Sequence, residues 1–156
     1  MSDYLQGDAY RALKFGPLVT KTSVSIPNNT TSALFTVSTG NVFVTSLYGV
    51  LTSPATSASA TLSLGIITSA ATSTTSIATG TAIGTIATGV WATPQVSSGK
   101  AGALVLGTDS STVLYKPAEF VAPVGTITWT TGATAASGKF TWYLTYVPLD
   151  NGANVT

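Results

Sequence analysis

The sequence predicts an all-β fold, an antiparallel β-sandwich of jelly-roll type with about eight short strands and an extended N-terminal arm. Three observations predict it. Apolar residues recur with period two in segment after segment, the pattern of strands with one buried face. Gly, Pro, Asn and Asp punctuate these segments at regular intervals. No internal stretch carries a helical period. An open barrel satisfies the same count of strands and turns.

A chain of 156 residues suggests one domain, and one of this size buries roughly 70% of the surface its unfolded form exposes. It is 44% hydrophobic, only 7% charged and carries a formal net charge of +1, the opposite of a disordered composition. Every residue from Thr22 to Gly99 is uncharged. Like-charged surfaces keep small domains apart in solution, so a chain with so little charge is expected to have much of its surface covered by partners.

The first 17 residues stand apart as an arm, Met1 to Pro17, ahead of a β-sandwich domain spanning residues 18–156. The arm holds Asp3, Asp8, Arg11 and Lys14, four of the eleven formal charges, and a short helical turn is expected around Gln6 to Leu13. In the sandwich, Val24 and Ile26 alternate with Ser23 and Ser25 before the turn IPNNTT. The run SALFTVS places Ala33, Phe35 and Val37 on one face, and Ser38 to Asn41 reverse the chain. From Val42 to Leu51, Phe43, Thr45, Leu47 and Leu51 oppose Val42, Val44, Tyr48 and Val50, which predicts a strand covered on both sides.

Ala60, Leu62, Leu64 and Ile66 then alternate with smaller residues. The stretch TSAATSTTSIATG that follows has one residue larger than Thr and no charge. Its first part, Thr68 to Ser76, reads as a loop and the most mobile part of the domain. Ser76 to Trp91 reads as a weak strand region anchored by Ile77, Ile83, Ile86, Val90 and Trp91, because Thr favours extended backbone while Ala and Gly let sheets approach closely. Leu104–Leu106 and Val113–Tyr115 flank a turn and predict a hairpin. GTITWTTG sets Ile127 and Trp129 against Thr126, Thr128 and Thr130. The clearest alternation is KFTWYLTYVPL, with Phe140, Trp142, Leu144 and Tyr146 on one face until Pro148 stops it. The predicted core is Phe35, Val44, Leu62, Leu64, Ile127, Trp129, Phe140, Trp142, Leu144 and Tyr146.

Chemistry is sparse, which excludes whole classes of function. With no His and no Cys, neither a Ser-His-Asp nor a Cys-His nucleophile system can be built, nor a zinc site on those ligands. No catalytic residue, metal or cofactor is expected. The five carboxylates are isolated in sequence, and Asp109 and Glu119, the one pair worth weighing as glycosidase groups, lie beside turn signals where acidic residues serve as solvated or capping groups. SSGK at 97–100 and SGK at 137–139 lack the earlier Gly of a phosphate loop, since Pro94 and Ala133 stand in its place. The GxxxG spacing of Gly80 and Gly84 reads as a strand bend. The N-x-Thr patterns at Asn28, Asn29 and Asn154 read as turn and tail residues.

The six basic residues are scattered, so no nucleic-acid partner is expected, because such binders cluster Lys and Arg to displace phosphate counterions. Thr and Ser interrupt every candidate membrane span, and the N-terminus has no apolar signal core. The chain reads as made in the cytoplasm, with no membrane partner. The aromatic alternation places Trp129, Phe140, Trp142 and Tyr146 inside, while Tyr143 faces the other way as a contact residue. A sugar-stacking platform is the competing use of those rings. In the arm, Tyr4, Leu5, Tyr10, Arg11, Leu13 and Phe15 suit a segment that docks on a partner, where aromatics and Arg anchor interfaces. Folding back on its own sandwich would hide them equally well.

The C-terminal pattern PVGTITW, then small residues, then FTWYLTYVPLDNGANV, resembles the end of small β-rich virion proteins of tailed bacteriophages, and FTVSTGNVFVTSLYGV resembles their N-terminal half. The resemblance spans most of Thr31 to Val155 and rests on structural motifs. It implies a capsid decoration, or cement, protein: a jelly-roll-like subunit, often a homotrimer, on the outside of the head, with the major capsid protein as partner and no enzymatic activity. The alternative is a receptor- or carbohydrate-binding module of a tail or fibre.

Overall fold

A computed structural model of the chain describes residues 12, 14–56, 60–95, 102–107, 119–132 and 137–156. The fold is all-β. In chain order the strands are β1 (Leu18–Ser25), β2 (Thr31–Ser38), β3 (Val42–Ser53), β4 (Ala55–Thr56), β5 (Thr61–Thr68), β6 (Thr75–Ala82), β7 (Thr85–Ile86), β8 (Trp91–Pro94), β9 (Gly102–Gly107), β10 (Phe120–Ala122), β11 (Gly125–Gly132), β12 (Lys139–Pro148) and β13 (Asn154–Val155). The excess over eight comes from short pieces: β4, β7 and β13 are two-residue strands.

The front sheet runs β1-β12-β3-β8-β9, with β10 also paired to β3, and the back sheet runs β6-β5-β11-β2-β13. Each sheet interleaves early and late strands, an order compatible with a jelly roll. All pairings are antiparallel except β6 with β9, where Ala78 and Thr79 lie beside Gly102 and Ala103. Strand β9 thus belongs to both sheets and closes the sandwich along one side, as strands that switch sheets do at corners.

The two sheets meet through aromatic rings. Trp129 of β11 packs edge-on against Trp142 and Phe140 of β12, with centroids 5.7 and 6.1 Å away. Edge-to-face pairs of this kind add about 0.5–1.5 kcal/mol beyond the area they bury. All ten predicted core residues are buried. Gly49 lies opposite Trp142 in register, and a Cβ there would sit 2.9 Å from the indole ring. A glycine at this position is what lets one of the two core tryptophans lie flat on its neighbouring strand.

Two β-bulges correct the expected faces. Between β2 and β11, Phe35 pairs with Ile127 but Ala33 pairs with Thr128, so Leu34 is an extra residue. Phe35, Val37 and Leu34 are buried while Ala33 is exposed. Between β3 and β12, Ser46 pairs with Thr145 but Val44 with Tyr146, which makes Thr45 the extra residue. The inward set is therefore Val42, Val44, Leu47 and Leu51, and Phe43, Tyr48 and Val50 turn outward. The mixed faces of this segment arise from an inserted residue that shifts the period by one, rather than from cover on both sides.

The uncharged stretch after β5 is folded structure. Ser69 to Thr74 join β5 to β6, with the Ser69 amide donating to the Val124 carbonyl (2.8 Å) and the Ala71 amide to that of Thr68 (3.1 Å). Thr74 lies over Gly65, where any Cβ would collide with its methyl group. Of the expected anchors in the next segment, Ile83 and Val90 are buried and Ile77 and Ile86 half-buried, but Trp91 is 39% exposed. Leu104–Leu106 lie in β9, and the other half of the expected hairpin falls outside the described residues. So do Gln6 to Arg11 and Leu13 of the expected helical turn. Ala12, Lys14 and Phe15 are helical, and the Gly16 amide closes the turn on the Ala12 carbonyl (2.9 Å).

Candidate interaction face

The front sheet presents its outward residues in three rows. At one end, Val121, Phe43 and Val147 stand side by side across β10, β3 and β12. In the middle, Thr145 shares hydrogen bonds with the hydroxyls of Thr45 (2.7 Å) and Ser46 (2.6 Å), and Leu18 lies opposite Thr145 on β1. At the other end, Tyr143 stacks on Tyr48 with centroids 5.0 Å apart, and Tyr48 in turn meets Trp91 at 5.4 Å. The period-two rule puts Tyr143 outward. The bulge at Thr45 puts Tyr48 beside it, and β8 contributes Trp91 opposite Val50.

Among the described residues, the large hydrophobic side chains that remain exposed are Phe15, Leu18, Trp91, Val121, Val147 and Leu149. All six belong to front-sheet strands or to the segments that abut them. Phe15 is held there because Thr45 Oγ1 donates to its carbonyl (2.8 Å). The Tyr146 amide donates to the Pro17 carbonyl (3.3 Å), and the Leu149 amide to that of Asn41 (3.0 Å). Gly16, with φ +82°, fits beside the Tyr146 carbonyl where a Cβ would fall on the oxygen. The last residues before β1 are thereby fixed to the front sheet. Tyr4, Leu5, Tyr10, Arg11 and Leu13, the other arm residues singled out in the sequence, lie outside the described residues.

Among the described residues, the rows carry no charge of their own, and charge stands at their rim: Lys14 Nζ lies 5.3 Å from the Phe15 ring centroid, and the exposed Glu119 directly precedes β10. The outward positions of β12 between Lys139 and Asp150 are Thr141, Tyr143, Thr145 and Val147, and those of β3 are Phe43, Ser46, Tyr48 and Val50. A sheet face rich in Tyr, Trp and Phe and depleted of charge has the composition of an interface core. Of the two weighed carboxylates, Asp109 lies outside the described residues and Glu119 is exposed directly before β10. Asp150 accepts the Asn41 amide (2.7 Å), a turn-capping role. At SGK, Gly138 has φ +123° and sits against Ile26 and Pro54, which makes that motif a turn.

Sequence reasoning singled out Tyr143 and missed its two ring neighbours. Tyr48 was hidden by the bulge, and Trp91 by its place in a run of small residues. Comparison with known protein families, characterised proteins and solved structures finds no match.

Proposed function

We propose that this chain is a non-enzymatic structural protein of a bacteriophage virion, a head decoration protein that binds the outer capsid surface and stabilises the shell. The observation that carries this reading is the concentration of exposed apolar side chains on one sheet face whose strands present no charge outward, the mark of a chain that works by association. The sequence resemblance supplies the virion context, and the fold class suits it. In this reading the N-terminal arm contacts the major capsid protein and the sandwich forms the homotrimer.

A ligand that binds the assembled shell but not its loose subunits stabilises the shell by mass action, by about 2.7 kcal/mol per site at roughly a hundred times Kd. Three linked copies turn modest contacts into strong retention, because the second and third binding events are intramolecular. The test is co-sedimentation of the purified protein with capsids that lack it. Saturable binding that makes the capsids more heat-resistant is expected. A folded protein that stays in the supernatant at every concentration contradicts the proposal.

The aromatic row favours one other reading, a glycan-binding module of a tail or fibre. Tyr48 and Tyr143 turn their ring faces on each other, so Trp91 would be the principal stacking surface for a sugar. A glycan array giving signal that is lost in Trp91→Ala would favour this second reading over the first.

A further inference from the structure

We infer that the outward face of the front sheet, centred on Tyr48, Tyr143 and Trp91, is where copies of this chain meet one another. The inference rests on the reading of the protein as an oligomeric structural subunit and names the surface that holds the oligomer together.

Charge selects the occupant. A face turned toward a symmetry axis meets copies of itself, so any charge on it opposes the same charge at short range. The three rows from Val121 to Trp91 satisfy that demand, since every outward residue in them is apolar, aromatic or a hydroxyl. A different partner is ordinarily matched by complementary charge. The chain keeps charges for that purpose outside the rows: Asp3, Asp8, Arg11 and Lys14 lie in the first 17 residues, and of these Lys14 reaches the rim of the face, its Nζ 5.3 Å from the Phe15 ring centroid. The two kinds of contact are thus divided between two parts of the molecule, like with like on the sheet and unlike with unlike on the arm.

The hydroxyl row between the two apolar rows fits the same use. Thr145 bonds to both Thr45 and Ser46, and Thr45 also donates to the Phe15 carbonyl. These hydroxyls can therefore be covered by a neighbour at little desolvation cost. Strand β1, at the edge of this sheet, is unsuited to association by strand addition. A register shift between Lys21 and Val24 and a positive φ at Ser23 (52°) break its free edge. Association through the face is thereby favoured over addition of a strand to β1.

The test is the molar mass of the full chain by sedimentation equilibrium, for wild type and for Trp91→Lys and Tyr143→Lys, with capsid co-sedimentation and far-UV circular dichroism alongside. Both positions are outside the core, and a Val147→Lys variant provides a third position should either of the first two misfold. We expect a wild-type oligomer and folded variants whose association is weakened at least thirtyfold or so, the scale of an interface hot spot. A monomeric wild type at tens of micromolar, or folded variants that associate as wild type does, overturns the inference and leaves the capsid reading standing. An oligomer broken by these variants that never binds capsids removes the capsid reading and leaves the interface standing.

Discussion

The outward faces of the two sheets are built from the same alternating strands and end in different states. On the back sheet, Thr126, Thr128 and Thr130 of β11 stand opposite Ile67, Gly65 and Ser63 of β5 and beside Thr36, Ala33 and Thr31 of β2. Some of its polar groups are answered from within: Thr31 and Thr130 share a hydrogen bond (2.7 Å), and Ser63 Oγ donates to the Thr130 carbonyl (3.3 Å), while Thr128 Oγ1 is buried without a hydrogen-bond partner. The Ser69–Thr74 loop approaches its middle at Gly65, and Thr128 is 3% exposed. On the front sheet a hydroxyl row lies between rows of aromatic and aliphatic side chains, and Trp91, Val121 and Val147 remain open. A sheet face covered in part by a loop of its own leaves little apolar surface in water, whereas one that keeps rings and methyl groups exposed is stabilised by acquiring a partner.

The largest break in this comparison removes the core that holds both faces apart. Trp142→Ala should cost about 3–5 kcal/mol, read as a lower midpoint in denaturant unfolding, and should disorder front and back alike. Next is Gly65→Val, which pushes against Thr74 and the Thr75 backbone. It should cost about 1–3 kcal/mol and lift the loop, so that hydrogen exchange rises at Ser69 and Ala71 while the front sheet stays protected. A back face that exchanges no faster would mean the loop is held by more than its seat on Gly65.

Gly16→Ala acts on the front. A side chain at φ +82° against the Tyr146 carbonyl should cost about 1–2 kcal/mol and detach the residues that precede β1. Capsid co-sedimentation should then fall further than unfolding stability does. Thr31→Val, which removes one exposed hydroxyl pair on the back sheet, should change stability by less than about 1 kcal/mol and leave association unaltered. A comparable exchange on the front, Trp91→Ser, should change association far more than stability, and that contrast sharpens the distinction between the faces.

How legible these faces were depended on period and register. In β12 the alternation runs unbroken, so Phe140, Trp142, Leu144 and Tyr146 could be set inside and Tyr143 outside from the sequence alone. In β2 and β3 a single inserted residue, Leu34 or Thr45, reverses which side the following residues face. An insertion leaves no mark in composition, because it is defined by the partner strand. Thr128 is legible as outward, yet its burial depends on a loop more than 50 positions earlier in the chain. The aromatic row is a product of the same long-range pairing: Tyr48, Trp91 and Tyr143 are distant in sequence and meet only when β3 lies between β8 and β12. The scarcity of charge, by contrast, is visible in any listing of the residues, and it first pointed to association.

Hydroxyl-radical footprinting, at dilute and concentrated protein and again with capsids, tests the difference between the two faces most directly. The account predicts that Tyr143, Trp91 and Val147 lose reactivity as the protein associates, while back-sheet Ile67 and neighbouring residues keep theirs. Equal reactivity of the front-sheet residues under all three conditions, or protection confined to the back sheet, would contradict it.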